Sequence, residues 1–141
     1  MKIIFAKTSD IVRCHEIDAA IGIPTHPAFL RETQKYKKLI IAKDSKKIIG
    51  YMCYSVLWGT LPFVHFIRIH PLWQRKGVGS FLLQFLEKKI KTEKFSCLLS
   101  STEHDNRNSF SFHKKNGFSS CGKIKFNKKE TEVFFIKNIP S

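Results

Sequence analysis

Hydrophobic residues fall in short runs along the chain, and their spacing alternates between the period of a strand and that of a helix. Runs rich in β-branched and aromatic residues predict strands over residues 3–6, 39–42, 48–57, 63–69, 95–99, 118–126 and 133–137. Apolar spacings of three and four predict helices from Ile11 and after Gly77. Breaks at residues 22–27 and at Asn116-Gly117 bound two further predicted helices, over 28–38 and over 106–115. The order of these elements predicts an α+β fold, with a mixed, mainly antiparallel sheet of six to seven strands flanked by about four helices.

The helix after Gly77 has the clearest amphipathic pattern. Its apolar residues recur at positions i, i+3, i+4, i+7, i+8 and i+12, and they are Val78, Phe81, Leu82, Phe85, Leu86 and Ile90. A stripe of this kind is typical of a helix that lies on a sheet. We therefore expect this helix to pack one face against the predicted strands.

Length and composition indicate one globular domain over residues 1–141. A chain of 141 residues with a hydrophobic fraction of 43% can bury one core but is too short for two. The four Cys form no C-x-x-C pair, so they are interpreted as reduced core thiols. No run approaches the ~18 apolar residues of a membrane span, and the N-terminus has no signal-peptide pattern. These features predict a cytoplasmic protein that does not use a membrane.

The chain is strongly basic, with 25 Lys and Arg against 11 Asp and Glu and a net charge of +14. Such a charge attracts nucleotide phosphates, RNA and acidic membranes alike. The excess of Lys and Arg is explained equally well by a surface that only keeps the protein soluble. Aromatic residues interleave with basic ones, but Phe63 and Phe66 fall on a predicted strand where core packing accounts for them. The aromatic pattern of an RNA-recognition sheet is missing, so a nucleic-acid partner is not expected.

Residues 67–80 lead from a predicted strand through a short loop into the amphipathic helix. The first turn of a helix leaves backbone N–H groups without partners and carries partial positive charge. Gly77 and Gly79 would let a phosphate approach the backbone closely, and Arg75 and Lys76 would add positive charge. The segment therefore predicts an anion site. It is not a Walker loop, since it has no G-K-[ST], and it lacks the third glycine of a dinucleotide fingerprint.

Two ordered motifs resemble those of the GNAT-type N-acetyltransferases. The segment Gln74-Arg75-Lys76-Gly77-Val78-Gly79 resembles the Q/R-x-x-G-x-G/A signature of that family, including the apolar strand before it and the amphipathic helix after it. Residues 106–118 resemble the family element N-x-x-A/S-x-x-F/L-Y/H-x-K-x-G-F. The resemblance covers residues 63–121 in motif detail and implies acetyl-CoA as the co-substrate.

The resemblance also implies which residues bind acetyl-CoA. The strand backbone would pair with the pantetheine arm as an added β-strand does, the loop and the first helical turn would hold the pyrophosphate, and Asn106 would hydrogen-bond the pantetheine. The residues implied are Ile67, Arg68, Ile69, Gln74, Arg75, Lys76, Gly77, Val78, Gly79, Ser80 and Asn106.

His113 stands where the family usually has the Tyr that protonates the departing thiolate. An imidazole can donate a proton near neutral pH, so His113 is the candidate acid; the alternative is that it only packs or binds coenzyme. The strand position where some relatives carry a basic carboxylate is Ser101, which cannot act unaided. Glu103 is taken as the candidate base, with His65, His104 and a water relay as alternatives.

The predicted reaction is acetyl transfer from acetyl-CoA to a primary amine of a small molecule, by direct attack in a ternary complex. The alternatives left open are acetylation of a protein or peptide N-terminus or lysine, a non-catalytic acyl-CoA sensor, and a basic RNA-binding module. Arg31, Lys35 and Lys37 favour an acceptor with its own carboxylate or phosphate. The His and Cys residues show no metal-ligand spacing, so no metal is expected. A homodimer formed by edge-strand pairing is compatible with such a fold.

Overall fold

The computed structural model describes all residues, Met1–Ser141. Its strands are β1 (Lys2–Phe5), β2 (Leu39–Asp44), β3 (Lys47–Leu57), β4 (Leu61–Ile69), β5 (Cys97–Glu103), β6 (Ser119–Lys125) and β7 (Thr131–Asn138). Its α-helices are α1 (Ile11–Ile21), α2 (Pro27–Lys35), α3 (Val78–Thr92) and α4 (Arg107–Lys115). Two short 3-10 helices cover Thr8–Asp10 and Pro71–Trp73.

The strands form one seven-stranded sheet in the order β1-β2-β3-β4-β5-β7-β6. The pairs β1–β2, β2–β3, β5–β7 and β6–β7 are antiparallel, and β4 runs parallel to β5. The predicted α+β fold with a mixed, mainly antiparallel sheet is therefore confirmed. The chain divides into two compact units: unit 1 consists of Met1–Ser55 and His65–Lys88, and unit 2 of Val56–Val64 and Lys89–Ser141.

The core of unit 1 lies where α1 and α2 pack on β2 and β3. Residues two apart on a strand share a face, and residues three or four apart share a side of a helix, so each element contributes its apolar stripe. The buried members of this core are Ile11, Cys14, Ile17, Leu30, Leu39, Ile41, Tyr51 and Cys53. The apolar spacing in the sequence is thus explained by one shared core.

In unit 2, α4 covers one face of β5 and β7. Leu98, Ser100 and Thr102 of β5 are buried on this face, and so is Phe135 of β7, which pairs with Ser100 in register. Phe110 of α4 meets the Phe135 ring edge-on, with centroids 5.2 Å apart. The intervening residues of β5, such as Ser101 and Glu103, therefore lie on the opposite face of the sheet.

Three details differ from the sequence-based expectations. Strand β4 begins at Leu61, because the turn before it is made by Trp58 and Gly59, both with positive φ. Strand β5 begins at Cys97 and continues to Glu103, since its polar residues alternate between a buried and an open face. Phe81, predicted on the buried stripe of α3, is 47% exposed.

The cysteine prediction is right for two of four residues. Cys14 and Cys53 are buried, and burial raises the pKa of both thiols, so they stay protonated. Cys97 is half-buried and Cys121 is exposed, because β6 is exposed along its whole length. All four thiols are free.

Candidate functional site

The loop between β4 and α3 has an unusual backbone. Arg75 has a φ of 60°, and Gly77, directly before the first residue of α3, has a φ of 85°. Left-handed residues interspersed with others turn successive N–H groups toward one side, which makes an anion-binding concavity. Residues 78–92 form a helix of 15 residues, so its N-terminal dipole adds to this concavity. These backbone angles and the helix start are compatible with the predicted anion site.

Position 77 requires glycine because of its backbone conformation, since there is enough room for a Cβ. A Cβ placed on Gly77 would lie 3.6 Å from a ring carbon of Phe81, which is ordinary van der Waals contact. A φ of 85° is costly for any residue with a Cβ. Phe81 is therefore exposed at the loop rather than packed in the core, and its backbone N–H donates to the Gly77 carbonyl.

Side chains hold this loop against the end of β4. The Gln74 side-chain amide donates to the carbonyl of Ile69 at 3.1 Å, and His70 Nδ1 accepts from the Leu72 N–H at 3.2 Å. The Lys76 ammonium lies 5.3 Å from the centre of the Trp73 ring. Gln74, Arg75 and Lys76 are exposed, whereas Gly77, Gly79 and Ser80 are half-buried and Val78 is buried. The cationic side chains thus remain in solvent above a fixed backbone.

The backbone of β4 has one side paired and one side available. Arg68 turns its carbonyl toward Gly50 of β3, and the His70 N–H donates to the Ile49 carbonyl at 2.9 Å. Alternate residues of a strand direct their N–H and C=O groups to opposite sides. The N–H and C=O groups of Ile67 and Ile69 therefore point away from β3, where the Ile69 carbonyl already accepts from the Gln74 side chain.

Gly50 lets β3, β4 and the start of α3 come close together. A Cβ at this position would lie 2.7 Å from Ile69 Cδ1, 3.3 Å from the Arg68 carbonyl oxygen and 3.4 Å from Val78 Cγ1. Gly50 is buried, so a larger residue would have to displace these neighbours. The close approach of β3, β4 and the start of α3 therefore depends on a glycine that the motif analysis did not select.

The side chain of Arg68 is occupied within unit 1. Its Nη1 lies 3.1 Å from Asp18 Oδ1 and 3.1 Å from the Tyr51 hydroxyl, and its guanidinium stacks 4.0 Å from the centre of the Phe66 ring. Tyr51 donates to the same Asp18 oxygen at 2.6 Å, and burial together with this bond raises the pKa of Tyr51. The side chain thus ties β4 to α1, and the carbonyl of Arg68 faces β3. A cofactor contact by Arg68 stays a prediction.

Asn106 lies in unit 2, directly before α4. Its side-chain oxygen accepts the Ser109 N–H at 3.0 Å and so caps α4. The cap orients the amide group, whose NH₂ has two donors for other partners. This placement is suitable for the predicted contact with a pantetheine carbonyl.

His113 is buried on the α4-facing side of β5, with 4% of its surface exposed. Its Nδ1 lies 2.7 Å from the Ser109 carbonyl and its Nε2 lies 2.8 Å from Ser100 Oγ. Its ring stacks on Phe135 at 4.3 Å and meets Phe118 edge-on. Because a carbonyl can only accept, Nδ1 carries the hydrogen and Nε2 accepts from Ser100. Burial lowers the pKa of His113, partly opposed by the Ser109 bond, so the ring is neutral at neutral pH.

The base candidates lie in different surroundings. Glu103 is exposed at the end of β5, and His104 is exposed just after it. His65, in unit 1, lies 2.6 Å from Ser55 Oγ, and burial lowers its pKa. The Ser101 hydroxyl donates to Glu132 Oε2 of β7 at 2.7 Å.

Sequence reasoning missed Gly50, Asp18 and Glu132. The alternation of β7 places Glu132 on the same face as Phe134, but the pairing of β5 with β7 that brings Glu132 to Ser101 is a long-range contact without a local signal. No three His, Cys, Asp or Glu side chains come together as metal ligands. None of the helices is both long and apolar enough to cross a membrane.

Residues 10–118 match the sequence profile of the acetyltransferase (GNAT) family, so the chain belongs to that family. The match includes the loop before α3 and the Asn106–Phe118 element, and it confirms the resemblance found from the two motifs.

Among individual proteins, the chain is similar to N-alpha-acetyltransferase RimI of Mycobacterium tuberculosis, with 33% identity over 86 residues. That match covers 55% of this chain and 54% of RimI, so the chain spans about half the length of this curated relative.

Two solved structures share the fold. The ribosomal-protein-S18-alanine N-acetyltransferase from Escherichia coli has a TM-score of 0.85 and 16% identity, covering 99% of this chain and 94% of that chain. An aminoglycoside 6′-N-acetyltransferase, solved with coenzyme A, has a TM-score of 0.87 and 12% identity, covering 100% of this chain and 98% of that chain.

Proposed function

We propose that this chain transfers the acetyl group of acetyl-CoA to a primary amine. The observation that carries the proposal is the loop with left-handed Arg75 and Gly77 before α3, in a chain whose family is that of the GNAT acetyltransferases. Backbone N–H groups at a helix N-terminus bind phosphate without a dedicated side chain. Acetyl-CoA supplies such a phosphate together with a transferable acyl group.

The residues of β4 and α4 fit the rest of the co-substrate. The backbone of Ile67 and the Ile69 N–H, which point away from β3, would pair with the pantetheine amides, and the Ile69 carbonyl, already bonded to Gln74, would have to share or exchange that bond. The Asn106 amide would donate to a pantetheine carbonyl. Arg75 and Lys76 would remain mobile counter-charges for the pyrophosphate.

The proposed chemistry is direct attack by a neutral amine on the thioester carbonyl. The N–C bond forms as the C–S bond breaks, the amine gives up a proton, and the sulfur leaves as a thiol. His113 is the proposed proton donor. Because Nε2 carries no hydrogen in the resting ring, it would first take up the proton that the attacking amine gives up and then donate it to the sulfur.

For the acceptor, a small-molecule primary amine is the first candidate. A second candidate, the α-amine of a peptide N-terminus, is favoured by the likeness to RimI, an N-alpha-acetyltransferase. Both acceptors carry an ammonium group that must lose a proton before it attacks, so both need the same proton acceptor.

Calorimetric titration with acetyl-CoA tests the donor site. The wild-type chain should bind, and Gly77→Asp should weaken binding by about tenfold or more, because its carboxylate repels the pyrophosphate and its backbone is strained. Gly22→Asp is a matched control: Gly22 has the same φ of 85° with nothing within 4 Å of its Cβ position, and it lies at the end of α1. Equal binding by both variants, or no binding by the wild type, would overturn the proposal.

Thiol release with an acceptor panel tests the transfer. The panel contains tyramine, glycinamide, spermidine, an aminoglycoside, an alanine-initiated hexapeptide and a lysine-containing peptide with a blocked N-terminus. Turnover with any member excludes a non-catalytic sensor, and the preferred member decides between the two acceptor classes. Binding of acetyl-CoA without turnover of any member would contradict the enzyme proposal.

A further inference from the structure

Glu132 of β7 is the one half-buried carboxylate of unit 2. The other carboxylates of this unit, Glu93, Glu103, Asp105 and Glu130, are exposed. The Ser101 hydroxyl donates to Glu132 Oε2 at 2.7 Å, which fixes the carboxylate against β5. The hydrogen bonds in the structure use only Oε2, so Oε1 has no protein partner. A carboxylate held by one oxygen presents the other to a ligand.

The carboxylate lies on the face of the sheet that α4 does not cover. The register pairs Leu99 with Ile136, Ser101 with Phe134 and Glu103 with Glu132, and opposed residues share a face. All of them are half-buried except Glu103, which is exposed, whereas Leu98, Ser100, Thr102 and Phe135 on the other face are buried. Phe63 stacks on Phe134 with centroids 5.9 Å apart. Glu132 thus borders an accessible aromatic surface.

The strand ends beside Glu132 adjoin the end of α4 that is proposed to contact the pantetheine. The Asn106 N–H donates to the Glu103 carbonyl at 3.1 Å, and the His104 N–H donates to the Thr131 carbonyl at 3.0 Å. The C-terminus of β5, the start of β7 and the cap of α4 therefore meet within unit 2. The other candidates do not match Glu132 here. His113 lies on the opposite face of the sheet, with both ring nitrogens bonded. Glu103 is exposed, and no hydrogen bond fixes its side chain.

Resting on the proposed function, we propose that Glu132 is the general base of the transfer, and that Ser101 positions it. Oε1 accepts a proton from the acceptor ammonium, which yields a neutral amine and a neutral glutamic acid. The amine nitrogen then attacks the thioester carbon, and its second proton leaves with the sulfur as the thiol. Glu132 returns its proton to solvent before the next turnover. The atoms and charges balance without a metal or a further reactant.

The test compares Glu132→Gln, Ser101→Ala and Glu93→Gln with the wild type, using the preferred acceptor of the panel at saturating acetyl-CoA. Glu93 is the control, an exposed carboxylate directly after α3. Glu132→Gln should lower kcat/KM by about a hundredfold at neutral pH, the usual effect of losing a positioned base. The loss of kcat/KM in Glu132→Gln, relative to the wild type, should become smaller as the pH rises toward the pKa of the acceptor amine. More of the amine is then already neutral and needs no base. Ser101→Ala should show a smaller loss, and the control Glu93→Gln should stay within about threefold of the wild type.

Two outcomes overturn this inference while leaving the proposed function intact. They are Glu132→Gln activity within about threefold of the wild type, and a deficit that stays constant with pH, as a merely structural role would give. Acetyl-CoA affinity, measured by calorimetry, should be unchanged in all three variants. If the wild-type chain acetylates no acceptor at all, the proposed function fails, and the assignment of Glu132 fails with it.

Discussion

At the scale of single residues, the surroundings of His113 determine its protonation state. The ring is enclosed by Phe118, Phe135 and the Ser100 hydroxyl, and its Nδ1 is bonded to a backbone carbonyl. Burial removes the water that would solvate an imidazolium, so the neutral form is favoured. The family motif locates this residue in the sequence, but its burial and its partners come from the packing of α4 on β5 and β7.

This environment predicts a loss of stability in mild acid. The folded-state pKa of His113 lies below the unfolded value of about 6.5, so the unfolded chain binds more protons once the pH falls below that value. The contribution of His113 to the unfolding free energy is constant above about pH 6.5. It becomes unfavourable as the pH decreases toward the folded-state pKa of His113. His113→Tyr should therefore lose less unfolding free energy than the wild type between about pH 7.5 and about pH 5.5.

Urea unfolding at the two pH values measures this effect. His104→Tyr is the control, since His104 is exposed and its replacement should leave the wild-type pH dependence unchanged. His65 has a lowered pKa as well and is retained in both variants, so its contribution cancels. The same pH dependence in His113→Tyr and the wild type would show that the buried imidazole does not control acid stability.

At the scale of elements, the junction of β3, β4 and α3 depends on Gly50. We expect Gly50→Ala to lower the unfolding free energy by about 1–3 kcal/mol, because its Cβ overlaps Ile69 and crowds the Arg68 carbonyl and Val78. Val78 is the first residue of α3, so the same shift should weaken acetyl-CoA binding. Urea unfolding and calorimetry measure the two effects.

Gly22→Ala separates this packing effect from backbone strain. Gly22 has a positive φ and open space around it, so Ala should cost stability there without any change in acetyl-CoA affinity. If Gly50→Ala loses stability but binds acetyl-CoA as tightly as the wild type, then Gly50 serves the core alone and not the loop.

Local pattern predicted the elements well where one face is uniformly apolar. The stripe from Val78 to Ile90 predicted α3, and the helix predicted over 106–115 matches α4 at Arg107–Lys115. It failed for β5, where buried Ser100 and Thr102 look like loop residues because the burial of a hydroxyl depends on a partner such as His113. The contact of Glu132 with Ser101 was likewise beyond local reasoning, since it is set by pairing across 31 residues.

At the scale of the whole molecule, the net charge of +14 should act on the co-substrate through its phosphates. The screening length is about 10 Å at 0.1 M salt and about 3 Å at 1 M, so added salt removes the long-range part of this attraction. We expect kcat/KM for acetyl-CoA to fall several-fold between about 50 mM and about 500 mM NaCl.

Steady-state kinetics with S-acetylpantetheine, which has no phosphate, is the control, and its kcat/KM should change little. Equal salt dependence for the two donors would mean that the basic surface serves solubility, whereas a steep dependence for acetyl-CoA alone would give the charge a role in capturing the donor.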